Sequence, residues 1–154
     1  MAKAKVNDLI NMGFAAEQFG GAPGFDAEEV GGYVHDILDE VEVAVRLSVT
    51  DTVYDAATIN AADKNNKRNY SLIKSAERYY CAAQLWQNRI QFIDQSAMVQ
   101  RSNDVPVNPQ KQYADLESKY IERAEKQLSA LSGNTVEGGS SFGMVESGSF
   151  SRAG

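Results

Sequence analysis

Apolar residues in the first third of the chain return every three or four positions. In "FDAEEVGGYVHDILDEVEVAVRL", Val30, Tyr33, Val34, Ile37, Leu38, Val41, Ala44 and Val45 fall on one face of a helix, and acids fill the other. Asp26 with Glu29 three residues on reads as a capping box, and Phe25 with Val30 as a hydrophobic staple, so this helix is expected to start at Asp26. Gly31 and Gly32 each weaken its first turn by about 1 kcal/mol relative to alanine. That spacing means either close approach of a neighbouring backbone or a frayed turn.

The polar stretch "SVTDTVYDAATINAADKNNKRN" predicts a short helix from about Asp51, then a loop from Lys64 to Arg68. A long helix follows over residues 69–99. Its main stripe is Leu72, Ala76, Tyr79, Ala83, Trp86, Ile90 and Ala97, and a second apolar set, Cys81, Leu85, Phe92 and Val99, lies nearly opposite. A helix with two apolar sides is sandwiched, inside its own fold or against another subunit. The prolines of "RSNDVPVNPQ" end it. A last helix over 111–131 carries Tyr113, Leu116, Tyr120, Ala124, Leu128 and Leu131 on one face, with Gly133 as its C-terminal cap. No alternating strand pattern and no internal repeat stands out. The expected fold is all-α: a small three- to four-helix bundle with an extended N-terminal arm (residues 1–25), a helical domain (26–132) and an extended tail (133–154).

The tail, "GNTVEGGSSFGMVESGSFSRAG", has 6 Gly and 5 Ser in 22 residues. Such a segment buries too little to order itself. Phe142, Met144, Val145 and Phe150 punctuate it, a form suited to ordering on a partner; a plain linker is the alternative.

Charge sharpens the picture more than composition does. The formal net charge of the whole chain is −6. Between Asp26 and Arg46 there are seven acids and one base, so that segment alone carries −6 and the remainder balances. No basic face of the kind that grips DNA is evident. One cysteine excludes an internal disulfide, no apolar run approaches the roughly 20 residues of a membrane span, and no secretory signal is read at the start, so a soluble intracellular product without a membrane partner is expected.

Catalytic chemistry has few carriers. His35 is the single histidine, which excludes a multi-histidine metal site, and it sits one turn from Asp39 as a solvated pair. Cys81 has Glu77 and Arg78 beside it but no histidine near in sequence, so a packed thiol is expected rather than a nucleophile. The acids lack the Asp-x-Asp-x-Asp-Gly pattern of a calcium loop, and no glycine-rich phosphate loop follows a strand. Neither an enzyme nor a bound cofactor or metal is expected. The Met12-Gly13-Phe14 loop resembles, over Leu9–Phe14 only, that of the ubiquitin-associated domain, a helical binding module, although "FGGAPG" interrupts where that family's second helix continues. Otherwise Leu9, Ile10, Met12 and Phe14 form an amphipathic arm that docks on a core or a neighbour.

From Asp26 to Leu131 the order of elements is an acidic helix "DAEEVGGYVHDILDEVEVAV", a short polar helix, a long Ala/Tyr-rich helix "SLIKSAERYYCAAQLWQNRI" and a final helix "YADLESKYIERAEKQL". This order, together with the style of the tail, resembles the head-to-tail connector (adaptor) proteins of tailed bacteriophages. The resemblance implies a homo-oligomeric ring in the virion neck, typically of twelve copies, assembled in the host cytoplasm. Such a ring sits between the portal and a downstream tail or neck protein, and DNA passes through it without sequence-specific contact. It also implies that the C-terminal extension docks on the portal, which here assigns Phe142, Met144, Val145 and Phe150 as anchors, each contributing up to about 1.5–3 kcal/mol if fully buried. Cys81, Leu85, Phe92 and Val99 become candidates for subunit packing, with a second intramolecular core face as the alternative. Glu28, Asp36, Asp39 and Glu42 either line the channel or pair with Lys64, Lys67, Arg68, Lys74 and Arg78 of the adjacent subunit. Another oligomeric virion or secretion-apparatus ring protein shares these features.

Overall fold

The computed structural model describes residues 1–21, 23–97 and 109–131. In chain order these form α1 (Val6–Asn11), a 3₁₀ turn (Ala16–Phe19), α2 (Tyr33–Val49), α3 (Asp51–Ala56), α4 (Lys64–Ala97) and α5 (Pro109–Ser129). Among the described residues the fold is all-helical, as the periodicity predicts, and no helix is long and apolar enough to cross a membrane. The expected Gly133 cap and most of the proline-rich break lie outside the described residues.

α4 is the spine. Its 34 residues span about 50 Å at 1.5 Å per residue. α5 runs back along it: Tyr113 stacks on Trp86 (ring centroids 4.9 Å) and Tyr120 on Tyr79 (6.0 Å), so rising numbers on one helix meet falling numbers on the other. α2 packs on α4 through Val34, Ile37, Leu38, Val41, Val45 and Val49, which share one core with Ile73, Ala76, Tyr80, Ala82 and Leu85. Of the two apolar sides expected of the long helix, Ala76 and Ala83 on one and Cys81 and Leu85 on the other are buried within the chain.

Two helix starts differ from expectation. α2 begins at Tyr33, not Asp26, and Val30 is 86% exposed, so the capping box and staple do not form. Residues 24–32 instead fold into turns that cap α2 with main chain: Tyr33 N–H donates to the Gly24 carbonyl (3.0 Å) and Val34 N–H to that of Phe25 (3.2 Å). Gly31 adopts φ +97°, which stops a helix there, and its N–H donates to Asp36 Oδ1 at 3.1 Å. At Gly32 a Cβ would press into the Ala27 carbonyl, so close backbone approach explains the glycine pair. α4 begins earlier than expected, at Lys64, because Asp63 caps it: its Oδ1 accepts from Asn65 N–H (2.9 Å) and its carbonyl from Lys67 N–H (3.0 Å). The expected loop from Lys64 to Arg68 is thus the first turn of α4. Pro109 opens α5, where a missing N–H costs nothing.

The N-terminal arm is part of the domain. Ala2, Ala4, Val6, Leu9, Phe14, Phe19 and Phe25 are all buried in the core. Of the four arm residues expected to dock, Leu9 and Phe14 are buried, Met12 packs against the core, and Ile10 is 38% exposed.

Candidate assembly surfaces

A buried carboxylate ties the arm to the bundle. Glu77, on α4, is 0% exposed. Its Oε1 accepts the main-chain N–H groups of Lys3 (2.7 Å) and Ala4 (2.8 Å), and its Oε2 accepts the Tyr54 hydroxyl from α3. Burial pushes its pKa above the usual carboxylate range, against the pull of these three donors. Burial beside Glu77 likewise drives the Tyr54 hydroxyl upward, and burial lowers the Lys3 ammonium.

Around Tyr54 the charges are shared. Lys3 Nζ and the Arg46 guanidinium each lie 4.1 Å from its ring centroid. Arg46 also bonds Glu42 (2.9 Å), Asp51 (3.1 Å) and Asp55 (2.9 Å), fastening α2 to α3. Burial would raise Glu42, but its bonds to Arg46 and to the Met1 ammonium (3.0 Å) bring it below its ordinary value. At the junction Thr50 has φ +80°, an uncommon backbone state for a β-branched residue, and its Oγ1 caps α3 by accepting from Val53 N–H at 3.4 Å.

An aromatic clasp holds the remainder of the arm. Phe14 meets Phe19 (5.3 Å), Trp86 (5.9 Å) and Tyr120 (6.5 Å), and Phe19 meets Phe25 (6.1 Å). Tyr33 packs on Phe25, and its hydroxyl accepts from Asn88 Nδ2 at 2.8 Å. With Phe14 buried in this clasp, the Met-Gly-Phe loop does not offer its aromatic residue to a partner as a ubiquitin-binding loop would.

The residues assigned from sequence sort into distinct places. Cys81 and Leu85 are 0% exposed inside the protomer, which corrects the expected subunit contact in favour of its alternative, a second intramolecular core face. Burial raises the Cys81 thiol far above its ordinary value, as befits a packed side chain. Phe92 lies on α4 with its side chain outside the described residues; Val99, Phe142, Met144, Val145 and Phe150 lie wholly outside them. Glu28, Asp36 and Asp39 are exposed, whereas Glu42 is held by Arg46. Lys64, Lys67 and Arg68 are exposed on the first turns of α4. Lys74 and Arg78 leave that patch: Lys74 lies 3.7 Å from Asp8 of α1, and Arg78 bonds Ser75 (3.4 Å) and lies 5.7 Å from the Tyr79 ring centroid.

His35 Nδ1 sits 3.5 Å from Asp39 and 3.6 Å from Asp36, bringing three possible ligand atoms within 4.8 Å of one another. Asp36 already accepts the Gly31 N–H, and the two acids are half exposed, so the trio is a polar cluster at the start of α2. A cavity of about 30 Å³ beside it is lined by Ala4, Val6, His35 and Leu38 among others, the room of a water molecule.

The residue that sequence reasoning passed over is Glu77. A signal was present: Ile73, Glu77 and Tyr80 share helical spacing, so the acid stands in line with buried apolar neighbours. No family model, no curated protein and no solved structure matches the chain.

Proposed function

We propose that this protein is a head-to-tail connector of the kind found in tailed bacteriophages, a structural ring subunit seated between portal and tail. The observation that carries the reading is the order and relative length of the helices. An acidic α2 of 17 residues, a short α3 of 6, a spine of 34 and a returning α5 of 21 follow the order of that family's elements. In this reading Phe142, Met144, Val145 and Phe150 dock on the portal, and modest burial per copy is multiplied around the ring. The exposed acids of α2 face either the DNA channel, where like charge lets phosphate slide, or the adjacent subunit.

The test is the solution mass of the full chain, and of a chain ending at Leu131, with and without a candidate portal ring. A closed assembly that requires both portal and tail supports the proposal. A full chain that stays monomeric and ignores every portal overturns it.

A further inference from the structure

Three ligand-type side chains meet where α2 begins. His35 and Asp39 stand one helical turn apart, and Asp36 lies between them in sequence. One ligand atom from each falls within 4.8 Å of the others. His35 Nδ1 is 3.5 Å from Asp39 Oδ2 and 3.6 Å from Asp36 Oδ1, both too long for a hydrogen bond of normal geometry. The same nitrogen is shut off from solvent and has no hydrogen-bond partner among the described residues, although the imidazole as a whole is 16% exposed. A buried polar atom without a partner is destabilising, and this one faces two carboxylates.

The spacing suits an ion. Nitrogen and carboxylate ligands about 2.1 Å from a small divalent cation lie about 3.4 Å apart at a tetrahedral angle. Both distances from His35 Nδ1 are close to that separation, and the two half-exposed acids close the set by rotating their side chains. Asp36 Oδ1 also accepts the Gly31 N–H at 3.1 Å, an outer bond that orients the carboxylate and leaves it lone pairs to give. Beside the trio lies the cavity of about 30 Å³, room for one water, which Glu28 lines together with His35 and Asp39. Lys5 lines it too, but its ammonium donates to the Met1 sulfur at 3.4 Å. Neither Asp36 nor Asp39 has a lysine or arginine partner among the described residues, and both belong to the segment that holds all of the chain's net charge.

From this geometry we infer that His35, Asp36 and Asp39 form a site for one divalent first-row transition ion of the zinc class, with water completing its coordination. A nitrogen ligand beside two carboxylates selects such ions over calcium and magnesium, which take oxygen ligands throughout. The effect of the ion is structural. All three ligands lie in the first two turns of α2, and Asp36 joins them to the turn at Gly31, so a bound ion clamps the helix start to the segment that caps it. The inference goes beyond the connector reading and does not depend on it.

The experiment titrates the full chain, freed of metal by chelator and carrying no histidine tag, with Zn²⁺, Co²⁺, Mg²⁺ and Ca²⁺, followed by calorimetry and thermal unfolding. Zn²⁺ is expected to bind once per chain and to raise the melting temperature by several degrees at saturation. Mg²⁺ and Ca²⁺ are expected to bind at least about tenfold more weakly. Asp39→Asn and His35→Ala should each weaken Zn²⁺ binding at least about tenfold. Asp39 is exposed, so Asp39→Asn should melt like the wild type without metal, and it carries the test even where His35→Ala loses stability. Glu40→Gln removes an exposed acid next to the trio and should leave binding unchanged, which separates a built site from general acidity. A folded wild type that takes up neither Zn²⁺ nor Co²⁺ would overturn the inference. So would binding that survives Asp39→Asn, an equal loss in Glu40→Gln, or Mg²⁺ or Ca²⁺ bound as tightly as Zn²⁺.

Discussion

Glu77 illustrates how one side chain can set the geometry of a domain. Three donors from two other segments converge on it, two of them main-chain groups that would otherwise be buried without partners. Glu77→Ala orphans all three and leaves a cavity, and is expected to cost about 3–5 kcal/mol. Glu77→Gln keeps an acceptor for Lys3 and Ala4 and can donate to the Tyr54 oxygen, so its cost at neutral pH is expected to stay within about 1.5 kcal/mol. The pH dependence has a definite sign. A carboxyl raised in the folded state gives its stabilisation fully below the unfolded value, and loses it as pH rises through the raised one. Between those values the wild type should therefore lose stability with rising pH, and the glutamine variant should lack that component. Urea unfolding at stepped pH checks both; a glutamine variant as unstable as the alanine one would refute the hydrogen-bond assignment.

The first elements of the chain lie over the outside of the helix pair that follows them. α1, the 3₁₀ turn and the turns to Gly32 wrap the spine, and their hold is aromatic: Phe14, Phe19 and Phe25 lie within ring-contact distance of α4, α5 or each other. Trp86, the single tryptophan, stands in the middle of this clasp and reports on it. Phe14→Ala is expected to destabilise by about 3–5 kcal/mol. It should also shift Trp86 emission to longer wavelength in the folded state, as water reaches the indole. An unshifted spectrum in a folded variant would mean the arm is held without this contact. The α2–α3 junction depends on charge instead. Arg46 bridges three acids at a sharp turn, and Thr50 bears the unfavourable backbone angle.

For the molecule as a whole, α4 is the element that all others touch. α2, α3, α5, α1 and the 3₁₀ turn each pack on it, and from Ile73 to Leu85 it contributes half of the described residues that have no exposed surface. Amides in that stretch are expected to exchange with solvent only through global unfolding, and those of α1 and α3, helices of 6 residues, at lower cost. Hydrogen-exchange mass spectrometry reads this directly. Faster exchange in the middle of α4 than in α1 would contradict the spine architecture. The charge is as unevenly distributed as the packing: all the net charge belongs to residues 26–46, and in the fold six of those seven acids are exposed, three in the turns before α2 and three on it. Such one-sidedness acts on partners, through steering and repulsion, more than on the fold.

What the sequence determined by itself was the set of helices and the faces they bury, because periodicity is a local property that each stretch carries whole. The stripe Val34, Ile37, Leu38, Val41 and Val45 is buried as its spacing predicts, and α3 begins at Asp51 where its polar start indicated. The two-sidedness of α4 was legible too. Which partner covers each side was not, since an apolar position looks the same whether its neighbour comes from the same chain or another; the arm and α5 decide it in favour of the chain itself. The start of α2 was misplaced for a related reason. Asp26 and Glu29 have the spacing of a capping box, but the backbone of Ala27 lies against Gly32, and that non-local turn takes over the capping. The role of Glu77 depended wholly on tertiary structure: its partners lie 23 to 74 residues away, and only their convergence makes a buried carboxylate stable.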